Sequence, residues 1–123
     1  MEYNPGDPEK NFDLICDNFN AARSLRLFAK ELIKGISENR DYIDSLIQRS
    51  SKNWRIERMP KVDRSILRLS VYEMFFLDDI PPKVSIDEAV ELGKKFGTEE
   101  SGPFINGILD NIYVKNIKDH DSC

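Results

Sequence analysis

PKVDRSILRLSVYEMFFL, residues 60–77, decides how the chain can fold. Pro60 suits the first turn of a helix, where an absent amide proton removes no intrahelical bond. Behind it, Val62, Ile66, Leu67, Leu69, Val71, Met74 and Phe75 cover most sides of a 3.6-residue repeat. The spacing therefore predicts a helix over 60–77. A helix apolar nearly all round must be surrounded by other helices, so it is expected to be central in an all-α domain. At about 100° per residue, Lys61, Arg64 and Arg68 fall within about 60° of one another, and Asp63 points about 100° or more away from them. One narrow basic stripe survives on a mostly apolar rod.

Outward from this stretch the helical period persists, with no alternating strand run. On the N-terminal side, Asn4-Pro5-Gly6-Asp7-Pro8 breaks the chain, and Phe12, Ile15, Cys16 and Phe19 then predict a helix over 8–20. Leu25, Phe28, Leu32, Ile33 and Ile36 mark a second over 22–38. Asp41 can cap a third that carries Tyr42, Ile43, Leu46 and Ile47. Trp54, Ile56 and Met59 fall in an irregular basic segment, where the single tryptophan is expected to join the core.

On the C-terminal side, Ile80-Pro81-Pro82 is a break, and Ser85-Ile86-Asp87-Glu88 has the form of a capping box opening a helix to Phe96. Gly97 is expected to end it in a left-handed conformation. Thr98 or Ser101 can cap a last helix over 100–114, with Phe104, Ile105, Ile108, Leu109 and Ile112 turned inward. Residues 1–7 and 115–123 are polar and expected to be flexible. The sum is one compact domain of about six helices.

Bulk properties narrow the function. The chain has 123 residues, 40% hydrophobic and 33% charged, enough for a core without metal or disulfide support. Its apolar runs are far shorter than the roughly 20 residues of a membrane span, and no secretion signal opens it, so a cytoplasmic setting without membrane contact is expected. Cys16 lies in an apolar stretch, where it is expected to join the core, and Cys123 is the last residue, which does not suggest a disulfide. His120 is the only histidine, so a Cys/His metal site or a Cys-His catalytic pair has no material. The pairs Asp78-Asp79 and Glu99-Glu100 lack an accompanying nucleophile and read as solvated or capping acids. No phosphate loop or dinucleotide fingerprint is present, and no cofactor is expected.

Net charge is −4, yet residues 49–68 hold seven basic residues (Arg49, Lys52, Arg55, Arg58, Lys61, Arg64 and Arg68) against Glu57 and Asp63, a local balance of +5. Such a run commonly makes a solvated face. The less common reading is that it neutralises phosphates, which supply the sequence-independent part of nucleic-acid affinity. Trp54 inside the run is then, as the alternative to a core residue, a ring on which unpaired RNA bases stack. Phe104, at the first turn of the last helix, can pack inward or meet a ligand there. Free amides at that end favour phosphate, and Glu99 and Glu100 would compete with it.

Three motifs carry a resemblance. VDRSILRLSVYEM (62–74), IPPKVSIDEAVELGKKFG (80–97) and ESGPFINGILD (100–110) resemble, in order and spacing, the motif run of the NusB family of bacterial transcription antitermination factors. The resemblance covers 40–120 well and implies an all-α, non-enzymatic protein of two packed helical subdomains. It also implies a heterodimer with the ribosomal protein NusE that binds boxA RNA in ribosomal RNA leaders and equips RNA polymerase to resist termination. By matching position it points to Arg68, Glu100, Ser101 and Phe104 for RNA, beside the basic Arg55, Arg58, Lys61 and Arg64, and to Glu57 and Asp63 for the partner protein.

Two departures modify these expectations. Where relatives open with an arginine-rich helix, Met1-Glu2-Tyr3 runs into the Asn-Pro-Gly break, so that helix is expected to be missing. Its loss would weaken RNA binding and favour self-association, with a homodimer as one form. Pro103 replaces a residue that is basic in some relatives. The alternative function is a protein-interaction module with little RNA affinity.

Overall fold

Pro60 shapes the start of the central helix from just outside it. In the computed structural model, which describes residues 27–118, Pro60 is the N-cap with ψ 143°, and the helix runs Lys61–Phe76. Helix α1 covers 27–38, α2 Arg40–Ser50, α3 Lys61–Phe76, α4 Pro82–Phe96 and α5 Ser101–Tyr113. A 3-10 turn, Ile56–Arg58, lies before α3, and a π-helical turn, Val114–Lys118, follows α5. The described residues contain no strand, and none of their helices is long and apolar enough to cross a membrane. The expected helix over 8–20, the core role of Cys16 and the flexible ends 1–7 and 119–123 lie outside the described residues.

The chain divides into two units, Met1–Lys34 and Gly35–Cys123. Within the second, α2, α3, α4 and α5 pack together, with α3 touching each of the other three. Ile43, Leu46 and Ile47 of α2 meet Ile66, Leu67, Val71 and Met74 of α3, Ile86 and Ala89 of α4, and Ile105, Ile108, Leu109 and Ile112 of α5 in one core. These are i, i+3, i+4 sets, so each helix buries a stripe and leaves its other face to water. The inward set expected of the last helix is buried apart from Phe104, which is half-buried against the core. The central helix is less enclosed than its apolar composition suggests, since Val62 and Phe76 at its two ends are exposed. Phe76 stacks on Tyr72 at 5.2 Å and meets Tyr42 edge-on at 6.2 Å.

Helix ends depart from the local signals where a stronger constraint competes. Asn39, not Asp41, precedes α2, and its Nδ2 donates to the Gly35 carbonyl at 2.8 Å. Asp41 sits in the first turn, where its charge suits the helix dipole. The apparent capping box at Ser85 is not a cap, because α4 has already begun at Pro82. Proline at the first helical position is preorganised for it, and the amides of Val84 and Ser85 already bond the Pro81 carbonyl. Ser85 is buried instead, and its carbonyl accepts from Ser70 Oγ at 3.3 Å. Two small residues thereby let α3 and α4 approach. Residues 115–118, expected in a flexible tail, continue as the π turn, where Asn116 Nδ2 donates to the Ile112 carbonyl at 2.9 Å.

Candidate nucleic-acid and partner interface

Gln48, in the last turn of α2, organises the irregular segment that follows. Its Nε2 donates to the Ser51 carbonyl at 3.2 Å and the Trp54 carbonyl at 2.9 Å, and its Oε1 accepts from the Ile56 amide at 3.0 Å. Ser51 Oγ donates to the same Trp54 carbonyl at 3.1 Å. With that backbone held, Ile56 and Met59 drop into the core. Trp54 does not follow them. Its side chain remains 53% exposed, so the expectation of a core tryptophan is corrected: Ile56 and Met59 occupy the apolar space, and the Gln48 bonds hold Trp54 outside it.

Ser101 builds the other side of the site. Its Oγ accepts from the Thr98 amide at 2.9 Å and donates to Asp63 Oδ1 at 2.8 Å. Thr98 Oγ1 accepts from the Glu100 amide at 3.3 Å, closing the turn between α4 and α5. Neither Thr98 nor Ser101 caps α5 from outside; Glu100 is the N-cap and Ser101 the first helical residue. Gly97 is extended at φ −98° and ψ −151°, not left-handed as expected. Glycine is needed there for room, because an added Cβ would lie 2.7 Å from the Ser101 Cβ and 2.8 Å from the Gly93 carbonyl oxygen.

These two constructions meet. Phe104 stands edge-on to Trp54 with ring centroids 6.4 Å apart, and together with Pro60, Asp63, Thr98 and Glu100 they line a shallow groove. A second depression adjoins it, lined by Asn53, Trp54, Arg55, Glu57 and Arg58. Trp54 is the wall common to both.

The structure redistributes the expected site residues. Arg55, Arg58, Lys61, Glu57 and Glu100 are exposed, and Arg64 is half-buried. Arg68, expected on a phosphate-facing stripe, is instead clamped by Asp44: Nε to Oδ1 at 2.8 Å and an Nη to Oδ2 at 3.0 Å, with its side chain only 16% exposed. Asp63, expected to face a partner, is 4% exposed and bonded to Ser101, itself 1% exposed. The physical reason is its place in the first turn of α3, where a carboxylate suits the dipole and meets a hydroxyl from α5. Asp63, expected on a protein face, and Glu100 and Phe104, expected on an RNA face, line one groove. Sequence reading missed Gln48 altogether and undervalued Trp54. The available signal was the pair of smaller apolar residues, Ile56 and Met59, that could fill the core in its place.

A sequence profile for the NusB family matches residues 5–114. The chain belongs to the NusB family. It is 50% identical over 120 residues to the transcription antitermination protein NusB of Desulforapulum autotrophicum, covering 95% of this chain and 84% of that one. It is 56% identical over 87 residues to the protein of the same name from Myxococcus xanthus, covering 71% and 62%. Among solved structures, NusB of T. maritima is similar with a TM-score of 0.68 at 50% identity, over 71% of this chain and 61% of that one. A crystal structure of the antitermination factors NusB and NusE in complex with dsRNA is similar with a TM-score of 0.64 at 32% identity, over 89% and 81%. The NusB family is one of transcription antitermination factors, and its all-α fold is the fold described above.

Proposed function

We propose that this chain is a non-catalytic antitermination factor that pairs with the ribosomal protein NusE and binds boxA RNA in ribosomal RNA leader transcripts, so that RNA polymerase resists termination. The observation that carries this reading is the likeness, over 89% of the chain, to a NusB captured with NusE and dsRNA. The surface is chemically suited to the role. Exposed Arg55, Arg58 and Lys61 can neutralise phosphates, and Phe104 lines a groove open to a base. Glu57, exposed beside them, is assigned to NusE contact. The chain acts as one RNA- and protein-binding domain, in the bacterial cytoplasm.

A gel-shift with boxA RNA and a scrambled control, with and without NusE across a salt series, tests it. The expected result is a boxA-preferring complex that tightens with NusE and weakens as salt rises. Absence of a salt-dependent complex in the presence of NusE would overturn it. Two carboxylates in the groove, Asp63 and Glu100, and the engaged Arg68 favour one second reading, a module that binds NusE with little RNA affinity. Heterodimer formation without any shift of RNA would select it.

A further inference from the structure

Trp54 is unusual in being exposed while its backbone is held in place. A large aromatic ring left in water forgoes the stabilisation that burial would bring, so its retention outside the core calls for a cause. Its backbone is held from two directions, by Gln48 and by Ser51, and one side of the ring is set by the edge contact with Phe104. With the backbone already held and one side of the ring against Phe104, the segment has less ordering to lose on binding, which suits a stacking platform.

The surroundings of the ring differ in charge from one side to the other. On the Phe104 side lie Asp63 and Glu100, which repel phosphate. On the other side lie Arg55 and Arg58, the N-cap and the last residue of the 3-10 turn, which line the same depression. Glu57 shares that depression and moderates its charge without cancelling two cations.

We infer that Trp54 is a base-stacking wall of the RNA site: one unpaired nucleotide straddles it, with its base on the groove shared with Phe104 and its phosphate on Arg55 and Arg58. This rests on the reading that the chain binds RNA and adds a residue and an orientation to it. Single-stranded RNA suits the arrangement because its bases are free to splay and stack, whereas bases inside a duplex are not.

The experiment uses the fact that Trp54 is the only tryptophan in the chain. A short single-stranded boxA RNA is titrated into the full chain with NusE, and the Trp54 signal is taken as the difference from the Trp54→Phe variant. Stacking is expected to quench that signal in step with binding. Trp54→Ala should weaken RNA binding by about 5- to 150-fold, the usual worth of one stacked base, with the salt slope unchanged. Trp54→Phe, which retains a ring, should recover most of the affinity. Arg58→Gln should lower the salt slope by about one while leaving quenching intact at saturation. The Gln48 and Ser51 bonds reach the Trp54 backbone, so neither Trp54 variant removes what holds the loop. If RNA binds with an unquenched Trp54, or binds Trp54→Ala as tightly as the parent, this inference fails and the RNA-binding reading stands. If no RNA binds even with NusE, both fail.

Discussion

Replacing Asp63 and Ser101 by alanine, singly and together, measures how strongly the start of α3 holds the start of α5. The bond between them is 2.8 Å long, both residues are buried, and the acceptor is a carboxylate. A hydrogen bond to a charged group contributes about 1.5–3 kcal/mol net, so the coupling energy of the double-mutant cycle should fall in that range. Asp63→Ala also removes a favourable charge from the first turn of α3, about 0.3–1 kcal/mol more. Ser101→Ala also leaves the Thr98 amide without its acceptor, adding a cost of about 1–3 kcal/mol if water does not replace it. At roughly 3–5 °C of melting temperature per kcal/mol for a chain of this size, Asp63→Ala should melt about 5–20 °C lower and Ser101→Ala about 5–30 °C lower. Urea unfolding of the four proteins gives the cycle directly. A coupling below about 0.5 kcal/mol would refute the view that this bond positions the groove, because exposed or strained contacts contribute that little.

Two further outcomes follow from the geometry. Arg68→Ala should destabilise by about 1–2 kcal/mol through loss of a half-buried bidentate pair and its packing, whereas Lys61→Ala should change stability by less than about 0.5 kcal/mol. Lys61→Ala, not Arg68→Ala, should flatten the salt dependence of RNA binding, by about one unit of slope; the opposite pattern in parallel urea and gel-shift series would restore Arg68 to the phosphate-binding set. Burial first, and then the charge of Glu88, raise the Glu73 carboxyl above its ordinary range. The nearby Ser85 hydroxyl opposes this, although its Oγ has no partner at strict hydrogen-bond geometry. The folded chain therefore holds the Glu73 proton to higher pH than the unfolded chain, and stability is lost as pH rises from the ordinary carboxylate range through the raised value. Glu73→Gln should stabilise the fold at about pH 7 and gain nothing at about pH 4; urea midpoints equal to the parent at both would contradict it.

Repeating patterns were legible in the sequence, and choices of partner were not. The stripe Ile105, Ile108, Leu109 and Ile112 can be buried in only one way, and it defined the inner face of α5. At Ser85 a local cap signal lost to Pro82, three residues earlier, because both cannot start the same helix. Arg68 takes Asp44 from 24 residues away, and Asp63 takes Ser101 from 38 residues away. No helical period encodes such pairs, since they depend on which helix faces lie opposite each other. Trp54 shows the same limit for an apolar residue: with Ile56 and Met59 beside it in an irregular segment, spacing cannot tell which of the three turns outward.

The same contacts that shape the groove decide which substitutions can report on function. Asp63 and Ser101 reach the groove through structure, because their bond fixes where α5 begins and so where Phe104 stands. A substitution such as Asp63→Lys would place an ammonium in a buried site, at a cost of about 3–5 kcal/mol out of a total of roughly 5–15. Lost binding in that variant would measure unfolding, not the removal of a partner contact. Arg55, Arg58, Lys61 and Trp54 are held by backbone and neighbours that their own side chains do not supply, so their removal leaves the scaffold in place. Phe104 lies between these classes, half-buried against the core and edge-on to Trp54. Its substitution should lower stability and RNA affinity together, and only affinity corrected for the folded fraction separates the two effects.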